Sequence, residues 1–501
     1  MATSTNAGTA ARPEGDLVAG LGLYDATTIV MGSMIGSGIF IVSAEIGREV
    51  GSPGLLLVAW LLSGLMTVMA AVTYGELAAM MPRAGGQYVY LREAFGPLCG
   101  FLYGWTLFLV IQTGTIAAVA VAFGKFLGVF YPWVSASNIL ANFGSLTLAG
   151  HTLSLTVSSQ QLAAILCLLG LALLNVFGLR TGAWVQNVFT TLKVAALLGV
   201  IAIGYAWHGA PAAAPAGAGP VRTAGMAGGA GMAAAAQSAG GFWQGAHWDL
   251  ATLTIISVAL VGPLFSSDAW NNVTFTGAEV VNARRNLPLA LFLGTLTVCG
   301  LYLICNFAYL HVLTFSQIIH APEDRVATAA ARLVLGTRGA GLMAAAIMIS
   351  TFGCINGLTL AGARVYYAMA KDGLFFKSVA SVNRRYHSPA VSLLFQGVWA
   401  ALLTLTGTYN DLLNYVIFAV MLFYILTIAG LFWLRRTRPG APRPYRAVGY
   451  PVIPALYVIF AIFVEWALLT HKAAQSVTGL CIVAVGIPVF FLWRRRGRAG
   501  N

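Results

Sequence analysis

Long apolar stretches separated by short polar ones repeat along this chain from about residue 20 to residue 495. Most approach or exceed the ~20 residues that an α-helix needs to cross a bilayer. Twelve can be bounded, at about 24–48, 54–80, 97–124, 160–178, 185–207, 250–281, 289–312, 340–369, 390–407, 412–434, 451–471 and 476–493. The pattern predicts an all-α polytopic membrane protein of twelve transmembrane helices, with both termini on the same side.

Two of these stretches are patterned against helix. In the first, "VMGSMIGSGIFIV" places Gly32, Gly36 and Gly38 among Ser33 and Ser37. In the sixth, "VGPLFSSDAWNNVTF" has Gly262 and Pro263, then Ser266, Ser267 and Asp268 near mid-span. Glycine weakens a helix, and proline removes a donor and clashes with the preceding turn. Serine and aspartate compete for backbone hydrogen bonds. A charge at that depth costs roughly 3 kcal/mol or more unless it faces a cavity or a partner.

The glycines of the first span have two uses. Gly32-x-x-x-Gly36 is a small-residue face for close helix packing, or the segment is a break. The sixth span favours the break. Spans one and six are five apart, and an odd number of spans per repeat inserts the second copy upside down. Paired broken segments in two inverted halves point to a transporter binding site. Irregular backbone at membrane depth is tolerated only where it lines a cavity or is buried in protein.

The chemistry of such a site follows from helix ends. The break at Met34–Gly38 exposes amide donors at the start of "IFIVSAEIG", which suit a carboxylate. Carbonyls freed around Phe265–Asp268 accept from an ammonium. A zwitterion with both groups on one carbon, an α-amino acid, fits between them.

Composition excludes other classes. A chain of 501 residues that is 58% hydrophobic and only 9% charged cannot expose enough charge to stay dissolved. The net charge of +13 gathers in inter-span clusters such as Arg284–Arg285, Arg384–Arg385, Arg435–Arg436 and Arg494–Arg496. With the N-terminus inside, the cytoplasmic side holds 20 of the 28 Lys and Arg residues. Seven fall outside: Arg48, Lys125, Arg222, Arg325, Arg332, Arg338 and Lys472. The charge therefore reports orientation in the lipid bilayer, and no nucleic-acid partner is expected. The remaining one, Lys193, lies inside span five.

The six cysteines sit in or beside apolar runs without a CxxC pair, so neither metal site nor cofactor is expected. No HExxH and no GxxxxGK[ST] motif occurs, and Asp268 is the only aspartate well inside a span. Intramembrane hydrolysis and ATP-driven pumping lack their machinery, so the chain is not read as an enzyme. A channel would want repeated filter loops.

The organisation expected is a disordered cytoplasmic tail at 1–19 without signal-peptide features, then one transporter domain over 20–495. Within it, 20–207 is the first five-helix repeat and 246–436 the second, with the last two helices in 447–495. Residues 208–245 are a low-complexity Ala/Gly loop outside, and 322–337 is an amphipathic helix outside, before span eight.

"GSMIGSGIF" in span one, followed by "PGLLLVAWLLSGLMTVMAAVTYGELAAMMPRAGGQYVYLREAFG", resembles the amino acid–polyamine–organocation (APC) permeases. "LFSSDAWNNVTFTGAEVVNARRNLPLAL" looks like their L-type amino acid transporter branch. The resemblance covers residues 20 to 495. It implies a LeuT-type fold, five plus five inverted spans with broken helices one and six and two added helices, and sodium-independent transport.

By that resemblance Ile35, Gly36, Ser37, Gly38 and Ile39 match the carboxylate-binding break. Phe265 matches the aromatic that closes over the substrate from outside. Ser266, Ser267, Asp268 and Ala269 match the break that receives the amino group, and Trp270 and Asn271 the pair that follows it. Lys193 matches a span-five lysine near where sodium-coupled relatives hold a cation. Unaided, Lys193 lies about nine residues into its span, ~14 Å deep. It either meets carbonyls freed by the first break or snorkels to the membrane edge. A fixed charge there repels sodium; a titrating one couples protons.

Asp268 has three readings: a cap on the second half-helix, a ligand for the substrate ammonium, or a proton carrier. Ser266 and Ser267 depart from the larger or glycine residues common in the branch, which leaves pocket size open. Gln112, Thr113, Asn356 and Asn414 either line the pocket or bond helices together. Glu76, Arg83, Arg284, Asp372 and Arg385 are either gate salt bridges or interface charges. Glu465, in span eleven, has no role in this scheme.

The function expected is sodium-independent transport of amino acids, small or medium neutral ones, by alternating access in a plasma (inner) membrane, as exchanger or proton symporter. The alternative is proton-coupled transport of cationic amino acids or polyamines, if Asp268 points into the cavity. Exchangers of this branch that pair with a single-span glycoprotein would have a cysteine between spans three and four. Residues 125–159 contain none, so no obligatory accessory glycoprotein is expected.

Overall fold

A computed structural model describes residues 17–148, 151–207, 242–243, 248–383, 385–405 and 409–499. The tail at 1–16 and all but Phe242 and Trp243 of the 208–245 loop lie outside the described residues. The first span is three pieces: α1 (Leu23–Met34), α2 (Gly38–Ile41) and α3 (Ser43–Val50). Gly51 ends α3 with φ +66°, a left-handed cap that glycine adopts freely. Helix α4 (Pro53–Met80) then starts on a proline in its first turn, where the missing amide has no intrahelical partner to lose.

Helices α5 (Gln87–Phe95), α6 (Pro97–Thr106) and α7 (Gln112–Leu127) follow, with a π-helical turn at Leu107–Ile111 joining the last two. Next come α8 (Ser159–Val176) and α9 (Leu179–Ala206). The sixth span is broken into α10 (Leu250–Ala259), α11 (Val261–Ser266) and α12 (Asn272–Phe275). The rest are α13 (Ala283–Val312), α14 (Phe315–Ile319), α15 (Val326–Lys371), α16 (Ala390–Leu403), α17 (Tyr409–Thr437), α18 (Val452–His471) and α19 (Ala473–Ala499).

Among the described residues ten helices are long and apolar enough to cross a membrane. Two shorter apolar helices, Leu250–Ser266 and Ala390–Leu403, stand where spans six and nine are expected. The large apolar side chains left exposed, such as Leu166, Trp184, Leu342 and Ile459, make sense only against lipid.

One detail departs from the expected all-α plan. Strands β1 (Ile139–Leu148) and β2 (His151–Ser158) form an antiparallel hairpin between α7 and α8. Their alternation of small and apolar residues is too short to stand out beside long membrane runs. The segment expected as an amphipathic helix before span eight is helical from Val326, and Gly336, with non-helical φ +69° and ψ −156°, separates it from the rest of α15.

Helix α13 packs on α4, α1 and α9, while α15 packs on α9, α7, α1 and α8. The broken first span is thereby enclosed, and its break lies in protein rather than lipid.

Candidate functional site

The break in the first span covers Ile35 to Ser37, all buried. Five consecutive carbonyls around it receive side-chain donors. Lys193 Nζ donates to Gly32 O at 2.7 Å and Ile35 O at 2.8 Å, and lies 3.3 Å from Ser350 O. The Cys354 thiol donates to Ser33 O at 3.0 Å. Tyr302 lies 3.0 Å from Met34 O, and Ser350 Oγ 2.9 Å from Gly36 O. A helix end buried in a membrane needs such partners.

Lys193 is fully buried. Its charge rests at the negative end of α1, where the macrodipole favours a cation. This is not the geometry of a side chain reaching for the membrane edge.

The donors of the break remain. The amides of Gly36, Gly38 and Ile39 find no backbone acceptor among the described residues. The three glycines each meet a different neighbour. A Cβ on Gly32 would lie 1.8 Å from Gln186 Nε2 of α9, and one on Gly36 would lie 3.1 Å from Cys354 Sγ of α15. A Cβ on Gly38 would fall 2.0 Å from Ser266 Oγ. Close packing and a broken helix are therefore both true of this segment.

The sixth-span break runs from Ser267 to Asn271. Ala269 has φ +61°, a strained value for a residue with a Cβ. Part of the carbonyl set expected for an ammonium is already in use. Phe265 O accepts from the Asp268 amide at 3.1 Å, and Ser266 O lies 3.2 Å from the Tyr302 hydroxyl. Tyr302 thus touches the carbonyl ends of both broken spans. The carbonyls of Ser267 and Asp268 have no donor among the described residues.

Asp268 does not cap the second half-helix. The cap position of α12 is Asn271, without a side-chain cap bond. The Asp268 carboxylate instead accepts from the Tyr424 hydroxyl of α17 at 2.6 Å. Asn271 donates to Gln87 Oε1 at 2.8 Å, and Gln87 donates to Phe423 O and Thr427 Oγ1. Trp270 is buried edge-on to Tyr74, with centroids 4.8 Å apart. Phe265 is buried in α11.

Two small cavities flank Asp268. One, of about 10 Å³, has Thr67, Ser267, Tyr424 and Tyr457 in its wall. The other, also of about 10 Å³, has Gln87, Tyr103, Gln112 and Asn271. Gln112 reaches this space while donating to Leu358 O at 2.7 Å. Thr113 is spent on Phe108 O of the π-helical turn before it. Asn356 bonds helices together, linking Asn175 of α8 and Gln186 of α9.

Ionic contacts tie down both ends of the broken spans. Arg364 and Glu279 form a fully buried two-point pair at 2.9 and 3.2 Å, while Gly20 and Leu21 donate to Glu279 O. On the same side Glu76 accepts from Arg435 and forms an ion pair with Arg443, and Asp372 accepts from Arg92 and Tyr88. Arg83 comes 3.8 Å from Glu93. At the opposite end Arg48 pairs with Asp324 at 2.7 Å and Lys472 with Glu49 at 3.2 Å.

Tyr302, Ser350, Tyr424, Gln87 and the Glu279–Arg364 pair escape sequence reasoning. Only Glu279 and Arg364, charges at span edges, carried a signal; a lone hydroxyl in "CGLYLICNF" or "MLFYILTI" carries none.

The model of the amino acid permease family matches residues 21–491 of the chain. The serine/threonine exchanger SteT of Bacillus subtilis (strain 168) is 28% identical over 484 residues, 95% of this chain and 97% of that protein. Large neutral amino acids transporter small subunit 2 of Mus musculus is 28% identical over 496 residues, covering 96% of this chain and 82% of that protein. Asc-type amino acid transporter 1 of Homo sapiens is 28% identical over 483 residues, covering 95% and 83%.

Proposed function

The chain belongs to the amino acid permease family, as an APC-superfamily member like the L-type transporters, and we propose that it exchanges small or medium neutral L-amino acids across the plasma (inner) membrane. The observation that carries this is the meeting of two helix breaks at Gly38 and Ser266. One break presents unspent amides, at Gly36, Gly38 and Ile39. The other presents the Ser267 and Asp268 carbonyls and the Asp268 carboxylate. A substrate carboxylate binds the first set and its ammonium the second.

Twelve spans in a LeuT-type five-plus-five inverted arrangement, with two added helices and both termini cytoplasmic, complete the proposal. The ten long helices and two short apolar ones support the count. Alternating access follows as rocking of the broken spans between the buried inner pair Glu279–Arg364 and the outer pairs of Arg48 and Lys472. Phe265 closes above the substrate. Lys193 occupies the carbonyls that a sodium ion would need, which supports sodium independence.

Exchange is favoured over symport by the printed name of SteT, a serine/threonine exchanger. The carrier works without an obligatory accessory glycoprotein, a proposal supported by the lack of cysteine in residues 125–159. The test is uptake of labelled serine, alanine and leucine by the purified protein in liposomes. Uptake that requires unlabelled amino acid inside, and ignores sodium, is expected. Uptake into empty liposomes driven by a proton gradient would overturn exchange, and no uptake of any amino acid would overturn the whole reading.

A further inference from the structure

A groove of about 840 Å³ opens on the flank of the molecule, between α4, α13 and the segment leading into α18. It is distinct from the breaks. Its walls are apolar: Leu65, Val68 and Val72 lie along one face of α4, and Leu289 and Phe292 along α13. The third wall is Tyr445, Val448 and Ile453. This wall is anchored, because buried Glu76 accepts from the Ala447 amide at 2.7 Å and pairs with Arg435 and Arg443.

One end of the groove is charged. Arg284 and Arg285 line it, and both are exposed. Neither side chain pairs with a carboxylate among the described residues, although Arg92, Arg364, Arg435, Arg438 and Arg443 on the same face all do. Arg284 is therefore not the gate salt bridge that the sequence allowed. Buried Glu76, which anchors the third wall, is already matched by two arginines.

We propose that this groove binds an anionic phospholipid from the leaflet on the arginine-rich face. The headgroup phosphate takes Arg284 and Arg285, and an acyl chain lies along α4 and α13. From Arg285 to Phe292 the helix rises ~10 Å into the membrane, a depth that only an acyl chain occupies. A soluble anion has no use for the apolar walls, and a neutral lipid none for two uncompensated arginines. Paired basic residues beside a groove between transmembrane helices have the chemistry of headgroup recognition.

The test is native mass spectrometry of the full-length protein in mild detergent. Phosphatidylglycerol and phosphatidylcholine of matched acyl chains are added separately. The wild type is expected to retain phosphatidylglycerol by roughly tenfold or more over phosphatidylcholine. The Arg284→Ala/Arg285→Ala variant should lose that preference, and Arg284→Lys/Arg285→Lys should keep most of it. Val68→Trp, which fills the apolar wall, should lose retention with both arginines present. Free glycerol 3-phosphate should not displace the lipid.

Equal retention of the two lipids by the wild type overturns the proposal without reference to any variant. So does undiminished retention by the alanine or tryptophan variants, or displacement by glycerol 3-phosphate. Binding is read directly, so a failure to transport amino acids leaves it standing.

Discussion

Gly38 has no room for a side chain because another helix break occupies the space: a Cβ would lie 2.7 Å from that of Ser266 and 3.0 Å from its Cα. Backbone cannot give way cheaply in a packed interior. Gly38→Val is expected to abolish substrate binding in an equilibrium assay on the folded protein, and normal uptake would refute the placement of the site. Gly38→Ala should be severely impaired as well, and Ser266→Gly in the same chain should restore part of its activity. A steric origin predicts that rescue; loss of an unrelated flexibility does not. Lys193→Ala removes a donor from three buried carbonyls; Ile35 O keeps the Ser350 hydroxyl at 3.2 Å and Ser350 O lies within α15, so Gly32 O bears most of the loss, about 1–3 kcal/mol for a group left unsatisfied. Transport should fall by more than tenfold while the protein still elutes as a single folded species. Unchanged rates would strip Lys193 of any part in transport.

The two ends of the broken spans are held differently. Glu279 and Arg364 are essentially fully buried, whereas the Arg48 side chain is 42% exposed beside Asp324. Removing one member of a buried pair strands a charge, at a cost of about 3–5 kcal/mol, while an exposed pair is worth ~1 kcal/mol or less. Arg364→Ala should therefore lower the unfolding temperature in detergent by many degrees, and Arg48→Ala should scarcely move it. The same contrast makes the Arg48 end the easier one to open. Equal destabilisation by the two substitutions would contradict this asymmetry.

Taken whole, the molecule is a set of apolar rods, ten of which are long and apolar enough to cross a membrane among the described residues. If the arginine-rich face is cytoplasmic, a C-terminal tag in right-side-out vesicles should resist added protease until detergent is present, and cleavage in intact vesicles would invert the orientation. The rods were legible from residue order, because a bilayer demands about 20 apolar residues per crossing and punishes exceptions. The positions of both breaks were legible for the same reason: Gly36, Gly38, Pro263 and Asp268 are expensive in lipid, and an expense marks a purpose. What residue order could not contain is which distant groups meet. Tyr302 lies 268 positions from Met34 and 36 from Ser266, yet touches both, and Tyr424 reaches Asp268 across 156 positions. A hydroxyl in an apolar run looks the same whether it closes a break or merely packs, because the partner that decides its role arrives only when the helices associate.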